Sequence, residues 1–128
     1  MDNPSVLIVD DSQDYQRIVS RILKAAGYRV ASARSAEEAR RLLALRLPDA
    51  AILDWNMPGA SGVELAREMR NDPRLSRVIL LLLTVNARPE DQVKALSEGV
   101  DFFLTKPVDS DELLARLSAL LRARDRAK

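Results

Sequence analysis

The sequence predicts an α/β fold in which helices cover both faces of a parallel sheet. Three observations carry this expectation. Five short apolar runs alternate with five helical patterns along 128 residues, the signature of strand–helix–strand units. The runs beginning at Val6, Ala50 and Val78 lack polar alternation, as expected of strands buried on both sides. Three helical stretches open on capping boxes and two others close on glycine, so the elements are punctuated where a compact α/β chain needs them.

Val6–Val9 is the first apolar run. Then "SQDYQRIVSRILKAAG" places Tyr15, Ile18, Val19, Ile22 and Leu23 on one helical face and stops at Gly27. The second run is Tyr28–Ala33. "SAEEARRLLALR" follows it, opening on Ser35 with Glu38 three residues on, a capping box. Ala50–Leu53 is the third run, and "SGVELAREMR" repeats the device with Ser61 and Glu64. After Val78–Leu83, Pro89 suits the first turn of a fourth helix and Gly99 its end. Phe102–Leu104 leads into "DSDELLARLSALL", capped by Asp109 with Glu112. The tail "RARDRAK" carries nothing larger than alanine to face a core. Right-handed crossovers place helices on both sides of an open sheet. No composition shift marks a linker and no repeat is present, so residues 1–128 are expected to form a single domain.

Composition removes several chemistries. The chain has no cysteine and no histidine, which excludes disulfides, thiolate nucleophiles, structural zinc of the Cys/His type and histidine-based triads. Carboxylates, hydroxyls and lysines remain for covalent work. The 20 basic and 19 acidic residues nearly cancel, so net charge makes no case for direct contact with nucleic acid or a membrane surface. "MDNPS" does not resemble a signal peptide, and Val78–Leu83 is too short to span a bilayer. The expectation is a soluble, cytoplasmic domain.

Ligand sites of open α/β sheets lie beyond the carboxyl ends of the strands. Asp10 and Asp11 follow the first run, Asp54 the third, Thr84 the fourth, and Lys106 stands just past the fifth. Three carboxylates gathered at one edge repel one another and call for a cation. All-oxygen ligands select a hard divalent ion, and magnesium fits. A threonine and a lysine are poor magnesium ligands but good donors to a tetrahedral anion. A metal with anion donors around a carboxylate is a site for phosphoryl transfer, in which the carboxylate can be the nucleophile.

"VDD" after the first strand, "LDWNMPGASG" after the third, the threonine after the fourth and "FLTKP" after the fifth resemble the receiver domain of two-component response regulators. "DWNMP" is especially similar to the stand-alone chemotaxis type. The resemblance covers nearly the whole chain and implies a flavodoxin-like sheet of order 2-1-3-4-5. It implies that Asp54 is the phosphoacceptor and that Asp11 binds Mg2+ directly. Asp10 would bind the ion through water, and Asp54 and the Asn56 backbone carbonyl would complete the protein ligands. Thr84 and Lys106 would bind the phosphoryl group, Thr84 and Phe103 would switch, and the Lys106–Pro107 peptide bond would be cis.

Implied partners are a sensor histidine kinase or phosphotransfer protein and a downstream protein or output domain, with homodimerisation on phosphorylation allowed. Such a domain is not an enzyme in the usual sense: it catalyses only its own phosphorylation and slow dephosphorylation. Two positions depart from the family pattern. Val85 stands where alanine or glycine is usual, narrowing the pocket into which Phe103 would turn, and Phe102 replaces a polar residue with an edge aromatic.

Each residue also has a plain structural explanation. Asp10–Asp11 could cap a helix, Asp54 could precede a Pro58–Gly59 turn, Thr84 could end a strand, Lys106 could be a surface lysine and Phe103 a core residue. Their coincidence at strand ends favours the site. Two functional alternatives stay open. One is a degenerate receiver that acts as a phosphorylation-independent interaction module; the other is a receiver cut from a larger regulator with a C-terminal output domain. An aspartate-nucleophile phosphatase would need D-x-D after the first strand, where this chain has Ser12.

Overall fold

The computed structural model describes residues 3–57, 59–85 and 88–126. Pro58, half of the expected Pro58–Gly59 turn, lies outside the described residues. Five strands, β1 (Ser5–Val9), β2 (Arg29–Ala33), β3 (Ala50–Asp54), β4 (Ile79–Thr84) and β5 (Phe102–Thr105), alternate with five helices. These are α1 (Gln13–Ala25), α2 (Ala36–Leu45), α3 (Gly62–Arg70), α4 (Pro89–Ser97) and α5 (Ser110–Arg126). The sheet has the order β2-β1-β3-β4-β5 and every pairing is parallel. The expected flavodoxin-like order is therefore the observed one.

The period of two along each strand divides the interior into two cores. Leu7, Val9, Ala51, Leu53, Leu80 and Leu82 face α2 and α3, where they meet Ala39, Leu43, Leu65 and Met69. Val6, Ile8, Ile52, Leu81 and Leu83 face α1 and α5, where they meet Val19, Leu23, Leu113 and Leu117. All of β3 and β4 is buried, which explains the unbroken apolar runs. The charged Asp54 ends β3 and Thr84 ends β4, so both stand inside their strands rather than just past them.

Capping follows the sequence closely. Ser35 Oγ accepts from the Glu38 N–H at 3.1 Å, Ser61 Oγ from Glu64 at 3.1 Å, and an Asp109 carboxylate oxygen from Glu112 at 3.1 Å. The first helix is capped by Ser12, whose Oγ accepts from Tyr15 N–H at 3.3 Å. The plain reading of Asp10–Asp11 as the cap is thus incorrect: the serine takes that place and leaves both carboxylates at the strand end. α4 opens with Pro89 and its chain turns at Gly99 with φ of 101°.

Two expectations of the sequence are corrected here. Ile18 is 46% exposed rather than core-facing, because α1 turns Val19 and Leu23 toward the sheet and leaves Ile18 on the rim of that stripe. The tail has no apolar anchor but holds on through charge. Arg124 donates to the Asp49 carboxylate at 3.1 Å and to its backbone carbonyl at 3.2 Å. Among the described residues, no helix is long and apolar enough to cross a membrane.

Candidate functional site at the carboxyl edge of the sheet

β1 and β3 are neighbours, and their ends bring Asp10, Asp11 and Asp54 together. One carboxylate oxygen from each lies within 4.8 Å of the others. Asp10 is 2% exposed and Asp54 8%, whereas Asp11 is exposed. The turn out of β1 produces this split. Asp10 Oδ1 accepts the Ser12 N–H at 2.9 Å, which folds the side chain back against the chain. Gln16 donates to the carbonyls of Asp10 at 2.8 Å and Ala33 at 2.7 Å, tying α1 to the ends of β1 and β2.

Lys106 reaches in from the end of β5. Its ammonium lies 3.1 Å from Asp10 Oδ2 and 3.4 Å from Asp54 Oδ1, with the side chain only 7% exposed. The reading of Lys106 as a surface lysine therefore fails. Thr84, beside it on β4, is buried, and the Lys106 N–H donates to the Thr84 carbonyl at 2.8 Å. The Lys106–Pro107 peptide is cis. Asn56 is exposed just past the end of β3. Phe103 is half-buried against the α2–α3 core and stacks on Phe102 with centroids 5.7 Å apart. Phe102 packs on the α5 side of edge strand β5, where the Arg116 guanidinium covers its ring at 4.5 Å. Val85 is 68% exposed.

The electrostatics single out Asp54. Burial pushes its pKa up from 3.8 to about 6, helped by the Asp10 charge and opposed by Lys106 and the Asn56 backbone N–H. Because the folded form holds this proton more tightly than the unfolded chain, stability falls as pH rises from about 4 to about 6 and is flat above. Without divalent metal, Asp54→Asn should therefore stabilise the protein near neutral pH. The expected gain is about 1 kcal/mol once screening at the open mouth of the site is discounted, and Lys106 keeps Asp10 as its partner in the variant. Urea melts in EDTA at about pH 4 and about pH 7.5 check this: the advantage of Asp54→Asn should appear only at the higher pH. An advantage equal at both pH values would rule out a strained carboxylate.

Two residues join the site that the sequence reading placed elsewhere. Tyr15, assigned to the core face of α1, sets its ring 4.2 Å from the Lys106 ammonium. Gly62, the first residue of α3, has no room for a side chain, since a Cβ would collide with the Asp54 carbonyl and touch Leu82. A glycine directly after a helix-capping serine was the available signal for the second. For Tyr15, its position four residues after Asp11 at the sheet's carboxyl edge was the hint.

The sequence profile of the response regulator receiver domain matches residues 6–118. This chain belongs to that family. The receiver domain is 40% identical over 125 residues to the transcriptional regulatory protein PrrA of Mycobacterium bovis, covering 95% of this chain and 52% of that protein. It is 36% identical over 118 residues to the phosphate regulon transcriptional regulatory protein PhoB of Pseudomonas aeruginosa, covering 92% of the chain and 52% of the relative. The receiver domain thus spans about half the length of these relatives.

Among solved structures it is similar to the chemotaxis protein CheY4 of Vibrio cholerae, with a TM-score of 0.87 at 31% identity, covering 92% of this chain and 98% of the other. The Francisella response regulator 1452 receiver domain superposes with a TM-score of 0.87 at 28% identity, covering 98% and 100%. Receiver domains are signalling domains rather than metabolic enzymes, so the phosphatase alternative falls away.

Proposed function

We propose that this receiver domain takes a phosphoryl group onto Asp54 from a partner histidine kinase or phosphotransfer protein and uses it to switch a protein-interaction surface. The observation that carries the proposal is the placement of Lys106 between Asp10 and Asp54, beside a third carboxylate, at one sheet edge. In the transfer, an Asp54 carboxylate oxygen attacks phosphorus. A P–O bond forms, and the bond from phosphorus to the donor atom breaks, its electron pair leaving with the donor. With a pKa of about 6, Asp54 is mostly ionised at neutral pH and available as the nucleophile. Lys106 offers its ammonium to the phosphoryl oxygens and Thr84 its hydroxyl. Water attack at phosphorus reverses the modification and releases phosphate. These 128 residues include no histidine, so a histidine donor must lie outside them.

The donor set fits magnesium. Ligands at about 2.1 Å from a shared ion stand at most about 4.2 Å apart, close to the spacing of these carboxylates. Both Asp10 oxygens are already engaged, which fits a contact through water. Asp11, Asp54 and the Asn56 carbonyl would be the direct ligands. When bound, the ion neutralises charge on the phosphoryl oxygens. Phe103, half-buried on β5 beside Thr84's strand, would change rotamer with the threonine.

Residues 1–128 are read as one receiver unit in the cytoplasm, making no nucleic-acid or membrane contact of its own. The twofold length of the relatives favours a longer regulator in which an output domain receives the signal, with phosphorylation-dependent dimerisation as one route. A degenerate, phosphorylation-independent receiver is disfavoured because the acidic triad, Thr84 and Lys106 are all present.

Trp55 tests the metal site. The sole tryptophan adjoins Asp54, so adding magnesium should change its emission, with saturation in the millimolar to tens-of-millimolar range expected of a mostly hydrated ion. Asp11→Asn should abolish the response. An unchanged spectrum up to tens of millimolar would defeat the magnesium assignment.

A further inference from the structure

We propose that Tyr15 is the positioning residue for Lys106, its ring holding the ammonium over the gap between Asp10 and Asp54 and keeping water off its outer side. The inference rests on the reading of Asp54 as phosphoacceptor. An ammonium has three N–H donors. Two directions are taken up by Asp10 Oδ2 at 3.1 Å and Asp54 Oδ1 at 3.4 Å. The remaining side meets the face of the Tyr15 ring, 4.2 Å from its centroid. A cation against an aromatic face is attracted by the ring quadrupole, most strongly where water is excluded, and here the lysine side chain is 7% exposed.

Lysine is a point charge on a flexible four-carbon stem. When Asp54 carries a phosphoryl group, the new oxygens compete with Asp10 for the ammonium, and nothing in that stem fixes where between them it sits. The ring supplies the missing wall. Its backbone is set rigidly, since the Tyr15 N–H is held by the Ser12 cap at 3.3 Å and the next residue, Gln16, is pinned to the ends of two strands. The ring face makes the contact, so the hydroxyl is dispensable and phenylalanine should serve.

The test uses beryllofluoride, a stable mimic of a phosphoryl group on a carboxylate, with saturating magnesium and Trp55 emission as readout. Tyr15→Leu should weaken beryllofluoride binding on the order of tenfold, while magnesium affinity measured alone stays within about twofold, because the contact the ring makes at the site is with the Lys106 ammonium. The conservative Tyr15→Phe should restore beryllofluoride binding. Wild-type affinity in Tyr15→Leu, or equal weakness in the leucine and phenylalanine variants, overturns the assignment. So does a parallel loss of magnesium and beryllofluoride affinity, which would mean general distortion of the site. If the wild type takes up no beryllofluoride at all, the phosphoacceptor reading fails and the role of Tyr15 fails with it. Normal uptake by the wild type with an indifferent Tyr15→Leu overturns the role of Tyr15 alone.

Discussion

Incubated with magnesium and acetyl phosphate, the protein is expected to gain one base-labile phosphate, and Asp54→Asn to gain none. The chemistry leaves little middle ground. An amide oxygen is too weak a nucleophile to take the phosphoryl group, and the other two carboxylates are placed differently. Both Asp10 oxygens are committed, one to the Ser12 N–H and one to Lys106. Asp11 is exposed and outside the two ion pairs that Lys106 makes with Asp10 and Asp54. Intact-mass measurement before and after mild alkali reads the result. Equal incorporation by Asp54→Asn would transfer the acceptor role to a neighbour and sink the assignment.

The second large effect is structural and strikes the same site. Gly62→Ala should cost about 3 kcal/mol or more, because the new Cβ overlaps the Asp54 carbonyl and presses on Leu82. At an ordinary helical position the same change would stabilise the protein by roughly 0.5–1 kcal/mol, so the sign alone is decisive. The Gly62 N–H also donates to the Trp55 carbonyl at 2.9 Å, which draws the start of α3 against the end of β3. Relief of the clash must move either α3 or the end of β3 that carries Asp54, so phosphate incorporation should fall along with stability. Gly59→Ala provides the contrast. Its φ of 88° disfavours a side chain but nothing lies within 4 Å, so about 1–2 kcal/mol is expected with incorporation largely retained. Urea melts of the two variants separate the effects. A stable, fully active Gly62→Ala would show that the close approach to Asp54 is not needed.

Local chemistry made much of this protein legible without a structure. Unbroken apolar runs mark strands covered on both faces, and Ser35, Ser61 and Asp109 cap the helices their positions announce, because a capping interaction involves only four consecutive residues. Asp10, Asp11, Asp54, Thr84 and Lys106 could be grouped from sequence because strands of a parallel sheet all end on the same edge. Distances within that group were beyond such reasoning. Whether Lys106 lies in solvent or between two carboxylates depends on how β5 sits beside β4 and on a side chain crossing to β1, contacts made by residues 96 positions apart.

Tyr15 shows the same limit. The periodicity of α1 places it with Val19 and Leu23, yet the helix begins where the sheet ends, so its first turn overhangs the site instead of the core. Ile18 falls out of the core for a related reason: an apolar stripe fixes a helix face only to within a residue's width, and packing against the sheet selects the angle. Gly62 could be any helix-starting glycine until the carbonyl it faces is known. The sequence by itself therefore determined the elements, their punctuation and the edge at which chemistry collects. Tertiary structure alone decided which charges touch, which carboxylate is strained toward protonation, and which aromatic ring closes over the lysine, because each depends on desolvation and angstrom-scale distance between distant parts of the chain.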